Sequence, residues 1–425
     1  MKHLPWLAAC ALAGSLVGMP VRAQPTTPPP VPPASLPPPP GPAARSVSLG
    51  ESLDAAWQRA VAARESAGQR RRAEADRVAA DSLWAAPPSL ALSHRDDRLH
   101  SNAGRRETEI GIALALWLPG QKAAHAGTAN AAAAQAQAAE QAARLRLAGE
   151  LREAAWQIAA LQAEAAQADA QAQALQQLVG DVERRVRAGD LARADALAAQ
   201  AEQLTASALR SDVRQRLQTA RAHWTLLTGL TAAPDLSAAA AVDAAPAAAA
   251  PHPELLLASQ STELANQRVG LVRHSRRDAP VLTVGLSQDV PGRAEATQSS
   301  LVVGLQLPLG SAARNRPLQA AALSELELAQ SQELRLRERL DSDSATAREA
   351  LRSAQAQLDA EAARARLLRE RATLIEKSFR AGETPLPDLL RALAAAAQAD
   401  SAAARQTAAL GLAHARLQQT LGLLP

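Results

Sequence analysis

The chain contains one short motif twice, and each copy follows a long segment without proline. The two copies read VRAGDLARADAL and FRAGETPLPDLL. Gly189 and Gly382 occupy equivalent positions 193 residues apart, and an aspartate follows each of them six residues later. The same spacing joins Gly229 to Gly422. An ungapped correspondence of this length indicates an internal duplication, so the chain is expected to form two halves of the same design.

Each half is predicted to contain the same elements in the same order. A helix over about 48–83, or about 252–277 in the second half, precedes two short segments in which apolar residues alternate with small or polar ones. A long segment rich in Ala, Gln, Glu, Arg and Leu follows, and this composition is typical of coiled coils. Residues 121–187 as one helix would extend roughly 100 Å at about 1.5 Å per residue. Such a helix needs neighbours to bury it, which favours an assembly.

The alternating segments predict four β-strands. ETEIGIALALWLPG and SLVVGLQLPLG place an aliphatic residue at every second position, and PSLALSH and VLTVGLSQ do so more weakly. The two stronger series are Ile110, Ile112, Leu114, Leu116 and Leu118, and Leu301, Val303, Leu305, Leu307 and Leu309. Lengths of roughly 7–12 residues suit tilted transmembrane strands, and the same pattern also fits a soluble hairpin packed on helices. No long apolar run follows the N-terminal segment, so no transmembrane helix is expected.

If these strands span a membrane, several chains have to share one sheet. Four strands cannot close a membrane barrel, whose smallest form has about eight, and an open sheet would leave unpaired backbone groups in lipid. Three copies of the chain would supply about twelve strands, an even number of the kind that such barrels use. Trp84 precedes the first strand and Trp117 ends the second. A hairpin would bring both to the same end, where they are candidate membrane-interface aromatics.

Composition and charge argue against several classes of protein. The formal net charge is only +4, and the basic residues are not interleaved with aromatics, so no nucleic-acid partner is expected. The histidines lack the paired spacing that metal ligands prefer. No nucleophile–base pairing or phosphate-binding glycine loop is recognisable. The chain is therefore predicted not to be an enzyme and to hold no metal or cofactor.

The N-terminal residues predict an export signal. A positive charge in MKHLPW, an apolar LAACALAGSLVG run and a small residue at Ala23 indicate a signal peptide over 1–23. The LAAC sequence leaves a second interpretation open, a lipoprotein box with Cys10 as the lipidated residue. Residues 24–45 are predicted to be a proline-rich disordered linker, and an Ala/Pro-rich linker over 231–251 is predicted to join the halves.

The repeated motif has two interpretations. In the simpler one it is a capped helix–turn–helix tip. The long helix ends near Arg187, whose charge suits a helix C-terminus. Gly189 and Gly382 supply left-handed caps, and Asp195 and Asp388 lie in the first turn of the next helix, where negative charge is favoured.

In the second interpretation the helices form a tube, and the aspartates lie at its mouth farthest from the strands. Three chains would then place six carboxylates around this mouth and attract cations. Ion pairs of Asp195 with Arg193, or with Arg380 of a neighbouring chain, could close it.

The chain resembles the TolC-type outer-membrane efflux proteins. The resemblance rests on two tandem repeats of helix, strand, strand, long helix and short helix, and on the segments SLGESLDAAWQRA, VRAGDLARADAL and SFRAGETPLPDLL. It covers about 46–424 and divides the chain into repeats at 46–230 and 252–425. LWLPGQK and QLPLGSAARNRP are further similar to the branch that serves cobalt–zinc–cadmium type heavy-metal pumps.

The resemblance implies a mainly α fold with a small membrane β-barrel portion, to which each chain of a homotrimer contributes four strands, and a long α-helical coiled-coil tunnel. It implies a passive channel in the outer membrane of a Gram-negative bacterium that receives substrates from a periplasmic adaptor and an inner-membrane pump. The alternative is a periplasmic adaptor or coiled-coil scaffold protein of an export system.

Carried onto this chain, the resemblance assigns roles to the tip residues. Asp195 and Asp388 are the gate candidates. Arg187 and Arg380 are the tip caps, a role that follows from their positive charge at helix C-termini and not from the resemblance. The adaptor-facing candidates are Ala188, Gly189, Asp190, Leu191, Ala381, Gly382 and Glu383. Two positions depart from the family pattern: Val186 stands where the second copy has the aromatic Phe379, and Arg391 stands where some members have a second acidic residue.

Overall fold

The structure, a computed structural model, describes residues 47–99, 102–236 and 251–425. The predicted signal peptide with Cys10 and the linker over 24–45 lie outside these residues, as does 237–250 of the second linker. The first half contains α1 (Leu49–Arg59), α2 (Val61–Asp81), β1 (Ser89–Asp96), β2 (Arg106–Ala115), α3 (Gln121–Ala188) and α4 (Arg193–Thr228). The second contains α5 (Pro253–His274), β3 (Val281–Val290), β4 (Gln298–Gln306), α6 (Ala312–Arg380) and α7 (Leu386–Thr420).

Two very long helices dominate the molecule. The helices α3 and α6 have 68 and 69 residues and, at about 1.5 Å per residue, each extends roughly 100 Å. The shorter helices pack along them: α4 and α7 start at the turns that end α3 and α6, whereas α2 and α5 lead into the sheet. The sheet and the turns therefore lie at opposite ends of the long helices.

The predicted helix over 48–83 is in fact two helices. Ala60 separates α1 from α2 with extended backbone angles, φ −65° and ψ 138°. Alanine favours helix and neither glycine nor proline is present at this point, so the sequence carries no sign of the break. Ser48 begins α1 with a reciprocal capping box to Glu51.

The four strands form one antiparallel sheet in the order β1-β2-β3-β4. Because residues directly opposite each other in paired strands point to the same side, the register aligns the aliphatic residues into rows. The rows are Leu92, Ile110, Leu286 and Leu301; Leu90, Ile112, Val284 and Val303; and Leu114, Leu282 and Leu305. We call this side of the sheet the aliphatic face. The other side carries mainly Gly, Ala, Ser and Thr.

Small side chains allow the helices to approach closely where they pack. Most buried residues of α3 are alanines. At Gly411 of α7 a Cβ atom would lie 2.0 Å from the ring of Trp156, so only glycine fits there. Halfway along α3 the buried Arg152 donates hydrogen bonds to the Gln419 side chain (2.6 Å) and to the Leu423 carbonyl (2.8 Å). Burial lowers the pKa of Arg152 to about 10, so it stays charged at neutral pH and attaches the end of α7 to α3.

The two long helices differ in how well this chain covers them. In α3, 19 residues are buried, whereas in α6 only five are: Ala322, Ala354, Ala365, Ala372 and Phe379. Large apolar side chains stay exposed along α6, among them Leu328, Leu334, Leu367 and Leu374. The helix α6 thus presents an apolar surface that nothing in the described chain covers. No helix in the described part of the chain is both long and apolar enough to cross a membrane.

Candidate functional site

The repeated motif forms two turns of the same geometry at one end of the long helices. We call residues 188–192 the first tip and residues 381–385 the second tip. Gly189 and Gly382 have φ angles of 87° and 83°, the left-handed conformation that their position in the motif predicted.

Each tip is a Schellman motif, in which the residue after the glycine closes a six-residue turn. The backbone N–H of Asp190 donates to the Arg185 carbonyl (2.9 Å), and that of Glu383 donates to the Ser378 carbonyl (3.0 Å). Both carboxylate residues therefore have their backbone fixed by the turn. Their side chains are exposed.

The two predicted gate aspartates occupy the same helical position but have different partners. Asp195 is in the first turn of α4, and its Oδ2 accepts a hydrogen bond from the backbone N–H of Ala192 (3.1 Å). The equivalent donor is missing in the second half because Pro385 precedes α7 there and proline has no N–H. Asp388 instead accepts a 2.5 Å hydrogen bond from Arg391.

The proposed ion pair of Asp195 with Arg193 does not form. The described residues contain no ion pair at Asp195, because its carboxylate caps α4. The partner of Asp388 is Arg391, which the sequence marked only as a departure from the family pattern. Asp195 and Asp388 are both half-buried, whereas Arg391 is exposed.

The two tips are held together by an arginine and the single phenylalanine of the chain. The guanidinium of Arg185 lies 4.9 Å from the centre of the Phe379 ring and also pairs with Asp181 at 3.2 Å. Phe379 is buried in an apolar cluster with Leu386, Leu389 and other residues of both halves. A cation over an aromatic face stabilises by roughly 0.5–2 kcal/mol, so this contact helps fix the first tip against the second.

The arginine that joins the two tips is not one of the two arginines that the sequence predicted as caps. Arg187 and Arg380 are both exposed, and Arg380 forms an ion pair with Glu376 one turn before it. In the described structure neither forms a hydrogen bond or an ion pair with the other tip. Arg185 was missed because its role depends on a ring 194 residues away in sequence, and the only signal was the Asp181 to Arg185 spacing within α3.

The predicted adaptor-facing residues form an exposed surface. Of these residues Leu191 is half-buried, and Ala188, Gly189, Asp190, Ala381, Gly382 and Glu383 are exposed. A Cβ atom placed on Gly189 or Gly382 would meet no other atom within 4 Å. Space around the glycines is therefore open, and only their backbone angles require glycine.

The opposite end of the molecule carries the aliphatic face and the two predicted interface tryptophans. The indole of Trp117 donates to the Ser82 carbonyl (3.0 Å), and the hydroxyl of Ser82 donates to the Trp84 carbonyl (3.0 Å). Trp84 and Trp117 thus lie at the same end of the β1–β2 hairpin, as the sequence predicted. Leu92 is 71% and Leu301 is 68% exposed, so the aliphatic face is open to its surroundings.

The described residues contain no candidate metal site. Within 47–99, 102–236 and 251–425, no group of three His, Cys, Asp or Glu side chains could hold a metal ion.

Near the tips, a hydrogen bond to Asp400 raises the pKa of Arg369. That pair bridges α6 and α7.

Several solved structures share this arrangement of elements. VceC, an outer membrane protein of Vibrio cholerae, has a TM-score of 0.72 and 16% identity, covering 88% of this chain and 96% of its own. CusC, described in terms of transmembrane channel formation, has a TM-score of 0.72 and 15% identity, covering 89% and 93%. The CmeC outer membrane channel of Campylobacter jejuni has a TM-score of 0.70 and 12% identity, covering 88% and 85%. The chain has the TolC-type fold.

The predicted mainly α fold of two tandem repeats, each with two strands, a long helix and a shorter helix, is thereby confirmed. The shared trimeric barrel stays a prediction. No family model and no curated protein matches the sequence. At these identities the likeness establishes the TolC-type fold alone. None of the three matched proteins is named as an enzyme.

Proposed function

We propose that the protein is the outer-membrane channel of a tripartite efflux system. It passively conducts substrates from a periplasmic adaptor and an inner-membrane pump to the exterior of a Gram-negative cell. The observation that carries this proposal is the aliphatic face: three rows of branched side chains lie on one side of the sheet and are largely exposed. Fully removing one such side chain from water contributes roughly 1.5–3 kcal/mol, and the acyl chains of a bilayer would do this for all of them.

The edges of the sheet support a homotrimer. The strands β1 and β4 are the outer strands of the four, and their unpaired backbone groups would cost several kcal/mol each in lipid. Three chains that pair β1 of one with β4 of the next form a closed set of about twelve strands, an even number as in bacterial outer-membrane proteins. In such a trimer the exposed surface of α6 packs against a neighbouring chain and the long helices enclose a periplasmic tunnel.

The two tips support docking and gating at the far end of this tunnel. The residues from Ala188 to Leu191 and from Ala381 to Glu383 present exposed turns of fixed geometry to the adaptor. Asp388, paired with Arg391 rather than used as a helix cap, is the stronger gate residue of the two aspartates. The carboxylate of Asp388 can exchange Arg391 for another partner when the tips move. The carboxylate of Asp195, in contrast, accepts the backbone N–H at the start of α4 and stabilises that helix end.

In a tripartite system of this kind, the pump determines which substrate the channel exports. The two segments similar to the heavy-metal branch, 116–122 and 306–317, surround the ends of β2 and β4 and lie far from the tips. Heavy-metal export stays a prediction that these segments alone suggest. Deletion of the protein followed by a survey of metal and drug sensitivity tests it.

The membrane role is tested by changing one side of the sheet at a time. Leu301→Glu places a charge on the aliphatic face, where lipid disfavours an acidic side chain, although by less than the roughly 2–4 kcal/mol that a basic side chain costs at the bilayer centre. Ser300→Glu places the same charge on the opposite side, one residue earlier in β4. We expect L301E to lose the heat-sensitive oligomer of outer-membrane fractions and its single-channel currents in planar bilayers, and S300E to keep both. Equal recovery of oligomer and current for both variants would reject the membrane-spanning role.

A further inference from the structure

The helix ends next to the sheet carry an arginine cluster that the channel function does not use. Arg273 is in the last turn of α5, and Arg276 and Arg277 follow in the connection to β3. We call these three residues the sheet-end arginines. All three line one open cavity of 460 Å³ whose other walls include Leu118, Gly310 and Asn315. The cavity therefore lies between the ends of β2 and β4 and the starts of α3 and α6.

The positive charge of this cavity is not neutralised by the chain. In the part of the chain that the structure describes, none of the sheet-end arginines forms an ion pair. The carboxylate nearest in sequence, Asp278, accepts a 2.5 Å hydrogen bond from Arg314 on α6 and is thus already engaged. The imidazole of His274 adds a further hydrogen-bonding group to the wall.

The internal duplication shows that the fold does not require these arginines. The equivalent connection of the first half, between α2 and β1, reads SLWAAPP and has no basic residue, whereas the second-half connection reads SRRDAP. Both connections join a helix to a strand of the same sheet. The basic residues are therefore an addition to the second connection and call for a separate explanation.

The chain segments that continue the aliphatic series of β2 and β4 lead to the cavity. The alternating series that continues β4 runs through Leu307 and Leu309, which are exposed, and ends beside Gly310 in the cavity wall. The series that continues β2 ends at Leu118, itself a wall residue. A molecule that covers the face with hydrocarbon and places an anionic group at its end would satisfy both surfaces at once.

We propose that the sheet-end arginines bind the phosphate of an anionic phospholipid whose acyl chains lie on the aliphatic face. This inference rests on the proposed membrane role of the sheet. Guanidinium groups bind phosphate oxygens through paired, charge-assisted hydrogen bonds, and arginines close to an anionic membrane surface attract it. The cavity lies at the end of the sheet that is next to the helices. The bound lipid would therefore belong to the membrane leaflet that borders the helical part of the molecule.

Lipid preference of the purified full-length protein tests the proposal. The oligomer is reconstituted with phosphatidylglycerol or with phosphatidylcholine of the same acyl chains, and retained lipid and the melting temperature are measured. The test variant is R273Q/R276Q/R277Q. The matched control is R64Q/R221Q/R366Q, which removes the same charge from three exposed arginines that form no ion pair in the described residues.

The expected result is a preference of about tenfold or more for phosphatidylglycerol in the wild type and the control, lost in the test variant. An equal preference in both triple variants would overturn the proposal. The proposal would also be overturned if glycerol phosphate, which has no acyl chains, raised the melting temperature as much as phosphatidylglycerol does. The site would then bind a free phosphate and not a lipid. Insertion of the wild type into phosphatidylcholine tests the membrane role separately: failure there rejects the proposed function, whereas insertion without lipid preference rejects only the lipid site.

Discussion

At the scale of single residues, one proline separates the roles of two equivalent aspartates. The motif places Asp195 and Asp388 at the same position of the next helix, and the sequence assigned both to a gate. Since Pro385 has no N–H, only Asp195 can cap its helix, and Asp388 pairs with Arg391 instead. The aspartate positions could be predicted from the motif, but their partners could not, because they depend on which backbone donors the turn leaves available.

This difference leads to separate effects of two substitutions. Asp195→Ala removes the carboxylate that accepts the backbone N–H of the N-cap residue Ala192, and should lower the free energy of unfolding by roughly 0.5–1.5 kcal/mol, measured by denaturant unfolding. Asp388→Ala removes an ion pair between a half-buried carboxylate and an exposed guanidinium, which has little stabilising effect, so it should leave stability nearly unchanged. In planar bilayers D388A should raise the conductance or lower the cation selectivity.

Arg391→Gln provides the matched test of the charge itself. It breaks the same ion pair but leaves the carboxylate, so it should raise cation selectivity where D388A lowers it. Unchanged currents in both variants would exclude Asp388 from the gate.

At the scale of elements, the sequence predicted what depends on periodicity and missed what depends on packing. The period-two segments marked all four strands, and the absence of proline marked α3, predicted at 121–187 and observed at Gln121–Ala188. The break at Ala60 and the Arg185–Phe379 contact were missed, since neither leaves a local pattern. The turn glycines were predictable because a left-handed cap has a strong residue preference.

The second tip offers a test that separates backbone shape from side-chain bulk. At Gly382 a Cβ atom meets no neighbour, but φ is 83°. Valine is strained in this conformation by roughly 1–2 kcal/mol, whereas asparagine adopts it with less strain. We expect Gly382→Val to abolish photo-crosslinking of the adaptor from position 383 in intact cells and Gly382→Asn to retain part of it. Undiminished crosslinking in G382V would contradict a docking role, and loss in both variants would indicate that the adaptor contacts the bare backbone.

At the scale of the whole molecule, the uneven cover of the long helices predicts where subunits meet. Leu367 and Leu374 are seven residues apart on α6, on the same side of the helix, and both are exposed. In the proposed trimer they are buried between chains, each contributing roughly 1.5–3 kcal/mol. The sequence indicated that the long helices need neighbours, but it could not show that α3 finds its neighbours within the chain and α6 does not.

Placing charges at these two positions should therefore separate the subunits. We expect L367E/L374E to lower the trimer fraction by about 100-fold or more at a given concentration, measured by light scattering in detergent, while helix content by circular dichroism is kept. Gln330→Glu with Gln357→Glu adds the same charge at exposed polar positions of α6 and serves as the control. A trimer fraction that the leucine changes leave intact would place the subunit contact elsewhere.

The alternation within the four strands also restricts how genes for this protein can vary in length. Within each strand, every second residue lies on the same side of the sheet. Deleting one codon inside a strand would therefore move all later side chains of that strand to the opposite side. Deleting two neighbouring codons would shorten the strand and keep the sides. Insertions and deletions inside the strands should therefore come in pairs, whereas the connections between β1 and β2 and between β3 and β4 can change by single codons.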